Sequence, residues 1–351
     1  MLTIKQLNNS ATKHELNLKK VESSWISLKG PKRLGCFSSY YNEENVKIYC
    51  PDKSLLAYLD IPEPLFIDCL QGYDPNVKYG HQSIGNIHLL RWVMDNEATL
   101  EDYPSDFVCY NGLLKDMMMS RYIKDHWDFF AIKIKGKIIM LRIDSKKKQD
   151  YIDEQSAWNN KSTYVALNLR RLITKTDNGH ESNLVKEGES CHGIFHSKIG
   201  CHRILHAGWL DCVESKEELT KPFDQIKFGS IKKIQNHHET ISFNAGNTWW
   251  SLATLSGVET ITCARCEYDF TVDHIDKLSV SNLIPRERQM EFFTSLNLML
   301  DYIKSIVTED NQYYDFYFNG TVKTLTGCER MNSNEKIIPS WYVDGQLPHV
   351  S

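Results

Sequence analysis

Residues 127–143 carry the pattern that most limits what this chain can fold into. Phe130, Ile132 and Ile134 alternate with smaller or charged residues, a period of two that is typical of a strand with one buried face. Gly136 follows them and leads directly into a second apolar run. A glycine between two such runs favours a tight turn, so the segment predicts an antiparallel hairpin.

Strand and helix patterns alternate along the rest of the chain. Residues 161–173 and 287–307 have apolar residues at helical spacing, and residues 191–213 predict a second hairpin. Repeats, low-complexity segments and linkers are absent from the sequence. We therefore predict a mixed α/β (α+β) fold, with twisted mixed sheets flanked by helices, as a single domain over residues 31–351. A loosely ordered arm over residues 1–30 should precede it.

Charge and composition exclude several classes of protein. The 351 residues carry a formal net charge of −4, which argues against binding nucleic acid through overall positive charge. The N terminus lacks the apolar core of a secretory signal, and no apolar run approaches the roughly 20 residues that span a bilayer. We expect a soluble intracellular protein with no membrane association, whose ten cysteines are buried thiols rather than a disulfide framework.

Cys263 and Cys266 have the spacing of a redox or metal-binding pair. They lie in a strand-like segment, where residues three apart point to opposite faces. A second such pair at zinc-ribbon spacing is missing from the sequence. We therefore interpret them as two separate strand thiols.

A second candidate metal site is the Cys- and His-rich segment 191–206. In a hairpin that turns near residues 197–200, two of its histidines share one face and two others lie opposite them. A four-His zinc patch is then conceivable, although hairpin histidines are more often ordinary polar residues. The four are His192, His196, His202 and His206, with Cys191 and Cys201 beside them.

Residues 208–212 form a strand-like segment with a single carboxylate, Asp211, beside Trp209. A two-metal phosphodiesterase needs several Asp or Glu oxygens that converge on its Mg²⁺ ions. The segment therefore looks like a nuclease metal site that has lost most of its acids.

Several short motifs, in order along almost the whole chain, resemble the DXO-type family of RNA decapping enzymes and 5′-to-3′ exonucleases. Each motif alone is weak, but six in the correct order are fairly specific. The resemblance implies a DXO-like single domain. The motifs are Phe37-Ser38, Asp68 with Gly72-Tyr73, Leu89-Leu90-Arg91-Trp92, Asp106-Phe107-Val108, Trp249-Trp250 with Gly257-Val258, and Ser340-Trp341-Tyr342-Val343.

The resemblance also implies which residues stand where the family has its metal ligands. A first Glu corresponds to Arg170, a Glu-x-Asp corresponds to Trp209-Leu210-Asp211, and a Glu-Leu-Lys corresponds to residues 225–227 with the Lys retained. A Gln that follows the Trp-Trp pair becomes Leu252, and an Arg-Gly that helps hold RNA phosphate becomes Asn111-Gly112. The implied vestigial pocket consists of Arg170, Trp209, Asp211, Gln225, Ile226, Lys227 and Leu252.

Formal charge decides how this pocket is interpreted. Four carboxylates would place a formal charge of about −4 beside two Mg²⁺ ions, whereas the formal charges of the matched residues here sum to about zero. We predict that Arg170 enters the vacated space and pairs with Asp211, while Trp209 fills the pocket. The alternative is a shifted helix register that leaves Arg170 in solvent.

Loss of ligands on a preserved fold resembles the non-catalytic, nuclear germline members of this family in insects. The resemblance implies a scaffold protein without a cofactor that works with a Rhino- and Deadlock-type chromatin complex at piRNA source loci. There it would protect nascent RNA 5′ ends and suppress termination. A second hypothesis is non-cleaving binding of RNA 5′ ends through Lys227, Arg170 and Arg171. A third is an active metal-dependent decapping enzyme or exonuclease.

Overall fold

The computed structural model describes residues 14–20, 25–42, 44, 46–80, 87–142, 150, 153–177, 185, 187–237, 240–330 and 337–345. Within these ranges the chain forms seventeen β-strands and seven α-helices. The strands are β1 (His14–Asn17), β2 (Leu28–Tyr41), β3 (Lys47–Cys50), β4 (Tyr58–Leu59), β5 (Ile67–Asp68), β6 (Phe107–Tyr110), β7 (Trp127–Ile134), β8 (Lys137–Arg142), β9 (Thr174–Lys175), β10 (Ser190–Ile199), β11 (His202–Leu210), β12 (Cys212–Val213), β13 (Phe228–Gln235), β14 (Thr260–Cys266), β15 (Thr271–Ser279), β16 (Tyr313–Asn319) and β17 (Thr324–Glu329). The helices are α1 (Ile87–Asp95), α2 (Glu97–Glu101), α3 (Asn111–Met119), α4 (Ala157–Leu172), α5 (Phe243–Ser256), α6 (Arg286–Ile306) and α7 (Ser340–Asp344).

The strands form two mixed sheets. The larger has ten strands in the order β1-β17-β16-β7-β8-β6-β11-β10-β2-β3, and the smaller has seven in the order β5-β15-β14-β13-β12-β4-β9. Parallel pairing joins β6 to β8 and β11 in the larger sheet, and β13 to β14 in the smaller one. Two mixed sheets with flanking helices confirm the predicted fold class.

Both predicted hairpins are present. β7 and β8 pair antiparallel around Gly136, whose φ of +76° lies in the left-handed region that glycine adopts without strain. β10 and β11 pair antiparallel over their whole length, and Gly200 with φ +55° occupies the turn. The period-two patterns therefore identified real cross-strand pairs.

Buried side chains fall into three clusters. The largest includes residues of the helices α3, α5 and α6, such as Leu114, Trp250 and Phe292, on one face of the larger sheet. A second cluster, on the opposite face of that sheet, contains residues of α1 and α7. A third lies between α4 and the smaller sheet, with Val165 and Leu169 of α4 at its centre.

At one of the crossings between the sheets, a single residue separates the two strands. β11, in the larger sheet, ends at Leu210, and β12, in the smaller sheet, begins at Cys212. Asp211 lies between them. The fold thus places the carboxylate singled out in the sequence at the junction of the two sheets.

The predicted N-terminal arm is in part an integral edge strand. β1 pairs antiparallel with β17 at one end of the larger sheet, and the adjacent Leu18 is only 1% exposed. Burial of a leucine fixes this segment to the core. Residues 1–13 and 21–24 lie outside the described residues.

All ten cysteines are free thiols, and six of them are buried. Cys263 belongs to the largest apolar cluster and Cys266 to the cluster under α4, so the two side chains lie on opposite faces of β14. Burial raises the pKa of Cys263 to about 11, which keeps the thiol protonated and unreactive. The interpretation of two separate strand thiols is confirmed. None of the described helices is both long and apolar enough to cross a membrane.

Candidate functional site

Asp211 is the centre of a compact charged cluster. Arg170 donates a hydrogen bond from Nη2 to Oδ1. The other carboxylate oxygen, Oδ2, accepts from Lys232 Nζ at 3.0 Å, Ser230 Oγ at 2.6 Å and the Ile231 backbone N–H at 2.9 Å. Both oxygens are therefore occupied by donors from the protein itself.

The register of the smaller sheet brings the side chains of Ser230 and Lys232 to Asp211. β12 and β13 pair antiparallel with Cys212 opposite Gly229, so Asp211 comes opposite Ser230. Side chains two apart on a strand share a face, and this places Lys232 beside Ser230 on the side of Asp211. The cluster is thus a direct consequence of β13 pairing.

Helix α4 supplies Arg170. Ser156 caps the start of this helix by accepting from the Asn159 N–H at 3.1 Å. Val165 and Leu169 are buried against the smaller sheet, and Arg170 lies in the last turn. The apolar face of α4 therefore fixes the helix so that the next residue, Arg170, reaches the sheet junction.

Electrostatics keep Asp211 ionised despite its burial. Burial raises the pKa of Asp211, but the charges of Arg170 and Lys232 and the hydrogen bonds from Ser230 and Ile231 outweigh it, and the pKa lies well below its usual range. Two cations and one carboxylate give the cluster a formal charge of about +1. The side chains of Arg170 and Lys232 are 24% and 22% exposed, so the cluster is open to solvent on its cationic side.

Trp209 covers the guanidinium of Arg170. The Arg170 Cζ atom lies 4.3 Å from the centroid of the Trp209 ring, a close cation–π contact. Across the hairpin, Trp209 is opposite His192, with ring centroids 6.3 Å apart. The predicted pairing of Arg170 with Asp211 is confirmed, and the structure adds Trp209 as the ring that packs on Arg170.

Residues 225–227, which the resemblance implies for the pocket, are not among the partners of Asp211. Gln225 ends a 3₁₀ turn and is exposed, and Lys227 is also exposed. Ile226 is buried and uses its carbonyl to accept from Arg33, while the Lys227 N–H donates to Glu218 at 2.9 Å.

The position assigned to them is taken by Ser230-Ile231-Lys232, five residues further along. Both triplets have the order polar, Ile, Lys, so the motif alone could not separate them. The sequence match also did not show that the chain makes a 3₁₀ turn before β13. The continuous strand pattern of Phe228–Gln235 was the signal that favoured the second triplet.

Three other predicted site residues have different surroundings. Leu252 lies partly buried on α5 and offers no ligand atom. Arg171 donates from Nε to Asn168 Oδ1 at 2.8 Å within its own helix. Asn111 is buried, donates to Ser256 Oγ at 3.0 Å and contacts His206 Nδ1 at 2.6 Å. Of the predicted pocket residues, Arg170 contacts Asp211 directly and Trp209 contacts the guanidinium of Arg170.

The structure rules out the four-His zinc patch that the hairpin pattern left open. His192 stacks on Phe37 with ring centroids 5.0 Å apart, on the face of the larger sheet that packs against α1. His206 stacks on Phe195 on the other face and bonds Ser197 Oγ at 2.9 Å. Cross-strand register pairs His192 with Trp209 and His206 with Phe195, so the sheet separates the two histidines.

The Asp211 cluster does not fit a divalent metal centre. Mg²⁺ requires near-octahedral oxygen ligands, and two-metal catalysis requires several carboxylates. Here one carboxylate is held by Arg170 and Lys232, whose charges repel a cation. Within the described ranges, one group of three or more His, Cys, Asp and Glu ligand atoms converges, at Cys201, His202 and Asp301, and Asp211 is not part of it.

Comparison with known proteins shows the family of the chain. The family described as RAI1-like PD-(D/E)XK nuclease matches residues 29–343. The Decapping and exoribonuclease protein Rai1 of Drosophila melanogaster is 22% identical over 257 residues, covering 68% of this chain and 68% of that protein. The Decapping and exoribonuclease protein of Rattus norvegicus is 21% identical over 353 residues, covering 92% and 87% of the two chains.

Solved structures agree with the fold. The crystal structure of Candida albicans Rai1 in complex with pU5-Mn²⁺ has a TM-score of 0.77 at 14% identity, covering 95% of this chain and 98% of that one. Scheffersomyces stipitis Rai1 in complex with (3′-NADP)⁺ and calcium ion has a TM-score of 0.73 at 12% identity, covering 96% and 99%. Because the family match spans residues 29–343, the chain belongs to the family of RAI1-like PD-(D/E)XK nucleases.

Proposed function

We propose that this chain is a catalytically inactive member of its family, which acts by binding rather than by cleaving RNA. One observation carries the proposal: the carboxylate of Asp211 is saturated by Arg170, Lys232, Ser230 and the Ile231 N–H. A metal ion would have to displace two cations and would gain a single carboxylate.

A cleavage assay tests the loss of catalysis. Purified protein is incubated with end-labelled RNA bearing a 5′-monophosphate or a 5′-triphosphate, in Mg²⁺ or Mn²⁺, and we expect no cleavage. The control is Asp211→Asn, which keeps the side-chain shape and removes the charge. Metal-dependent cleavage by the wild type that Asp211→Asn abolishes would overturn the proposal and support the active-enzyme alternative.

For its cellular role, we propose a nuclear scaffold function of the kind that Cutoff serves in the insect germline. The support is the resemblance of the motifs together with a cluster that has exchanged carboxylates for Arg170, Trp209 and Ser230. The protein would act with Rhino- and Deadlock-type partners at piRNA source loci, shield nascent RNA 5′ ends and suppress termination.

A rescue experiment tests this role. Depletion in germline cells should increase termination at piRNA source loci, and re-expression of the wild-type protein should restore read-through. Unchanged termination after depletion, or a protein confined to the cytoplasm, would contradict the proposal.

A second candidate function is binding of RNA 5′ ends without cleavage. The formal charge of about +1 and the partial exposure of Arg170 and Lys232 favour an anionic ligand such as a terminal phosphate. The protein should then prefer 5′-phosphorylated over 5′-hydroxyl RNA, with binding that weakens steeply as salt rises.

A matched pair of lysine variants separates this function from general charge attraction. Lys232→Gln should abolish the preference for a 5′-phosphate. Lys227→Gln, which changes an exposed lysine outside the cluster, should retain it. Equal effects of the two substitutions would show that any RNA binding does not use the Asp211 cluster.

A further inference from the structure

The end of the β10–β11 hairpin brings three metal-ligating side chains together. Cys201 and His202 follow the turn at Gly200, and Asp301 faces them from α6. One ligand atom from each lies within 4.8 Å of the others, which is true of no other such trio in the part of the chain that the structure describes. This group is independent of the Asp211 cluster.

The separations suit one small metal ion. Cys201 Sγ lies 3.8 Å from His202 Nδ1 and 3.9 Å from Nε2, while His202 Nε2 lies 2.8 Å from Asp301 Oδ1. Tetrahedral zinc with bonds of about 2.0–2.3 Å holds its ligand atoms roughly 3.3–3.8 Å apart. With Nε2 as the histidine ligand, the sulfur at 3.9 Å lies just above this range, and the carboxylate oxygen at 2.8 Å needs to retreat by less than about 1 Å.

Packing fixes His202, and a hydrogen bond orients Asp301. The ring of His202 is 1% exposed and packs edge-on against Phe107, with centroids 5.6 Å apart. Asn297, one turn before Asp301 on α6, donates from Nδ2 to Asp301 Oδ2 at 2.8 Å. This hydrogen bond holds the carboxylate with its other oxygen toward His202, as outer-shell partners do in metal sites.

Asn297 also fixes the turn. A Cβ atom at Gly200 would lie 2.2 Å from Asn297 Oδ1, so the amide packs directly on the glycine. Oδ1 is buried and has no hydrogen-bond partner among the described residues. A buried unpaired oxygen is costly, and a water bound at this site would supply the missing donor.

We propose that Cys201, His202 and Asp301 bind a zinc ion that ties the hairpin end to α6. Thiolate, imidazole and carboxylate together favour zinc, whereas Mg²⁺ and Ca²⁺ prefer oxygen ligands alone. Cys201 is exposed and the Asp301 side chain is 51% exposed, so a fourth position is open to water. The ion would stabilise the fold, and the proposal does not depend on the proposed function.

Titration with Co²⁺, a spectroscopic substitute for zinc, tests the site on the full chain. We expect saturation at one equivalent, with the near-ultraviolet charge-transfer band of a cobalt–thiolate bond. Cys201→Ser should remove the band, and Cys328→Ser, which changes another partly accessible cysteine, should leave it unchanged. A missing band, or a band that persists in Cys201→Ser, would overturn the proposal.

Thiol labelling gives a second readout without cobalt. Zinc should slow the reaction of Cys201 with a disulfide reagent by roughly tenfold or more, because a metal-bound thiolate is shielded from attack. EDTA should restore the rate, and Asp301→Asn should weaken the protection. An unchanged labelling rate of Cys201 in saturating zinc would refute the site. Cys201 is exposed, so its serine variant should fold, and circular dichroism checks this.

Discussion

Arg170 donates a charged hydrogen bond to Asp211 at the junction of the two sheets, and its guanidinium lies over the ring of Trp209. The family resemblance assigns metal-ligating acids to the positions of Arg170 and Trp209. The guanidinium of Arg170 therefore occupies a position that the resemblance assigns to metal binding, and it neutralises the carboxylate of Asp211. Arg170 and Lys232 therefore supply the positive charge beside Asp211, an arrangement that does not fit a divalent metal ion.

Removing the carboxylate should destabilise the fold. Asp211→Ala leaves Arg170 and Lys232 without their counter-ion at a largely buried position. The expected loss is roughly 3 kcal/mol in the free energy of unfolding. Urea unfolding at pH 7 measures it, with Glu214→Ala as an exposed control that should change stability by less than about 0.5 kcal/mol. Equal stability of the two variants would show that Asp211 does not hold the junction together.

Restoring acids should restore metal binding. In the triple variant Arg170→Glu, Trp209→Glu and Ser230→Glu, four carboxylates would converge, because Ser230 and Arg170 both contact Asp211. We expect Mn²⁺ to raise the melting temperature of this variant and to leave that of the wild type unchanged.

A register control accompanies the triple variant. Replacing Ser230→Glu by Gln225→Glu should give a protein that Mn²⁺ does not stabilise, because Gln225 is exposed in the turn before β13. If Mn²⁺ stabilised the Gln225 version and not the Ser230 version, residues 225–227 would be the metal-site segment after all.

Local patterns in the sequence identified most of the fold, and the family resemblance identified the centre of the site. Period-two alternation predicted both hairpins. Arg170, Trp209 and Asp211 meet in the structure as predicted. The register between distant segments could not be predicted from the sequence, because two polar-Ile-Lys triplets precede α5 and only the second lies in β13. The sequence likewise did not show that cross-strand register places His192 and His206 on opposite faces of the larger sheet. The trio with Asp301 was missed because His202 and Asp301 are 99 residues apart.

Two glycines beside the site should respond oppositely to alanine. A Cβ atom at Gly208 would lie 2.2 Å from Asn111 Nδ2 and 2.9 Å from Ser256 Oγ, so Gly208→Ala should disrupt their hydrogen bond and cost about 1–3 kcal/mol. Gly112 lies in α3 with nothing within 4 Å of a Cβ atom, so Gly112→Ala should stabilise by roughly 0.5–1 kcal/mol. Thermal unfolding compares them, and a stabilising Gly208→Ala would contradict this packing.

Buried histidines should make the fold sensitive to mild acid. Burial lowers the pKa of His192 and of His206 to about 3 and that of His88 to about 4. Because these folded-state values lie below the unfolded value of about 6.5, the unfolded chain binds protons first as pH falls, and each histidine costs about 2 kcal/mol of stability by pH 5. His206→Gln should therefore lose about 2 kcal/mol less than the wild type between pH 7 and pH 5 in urea unfolding. An identical loss in the two proteins would mean that His206 is protonated in the folded state, contrary to its burial between Phe195 and Asn111.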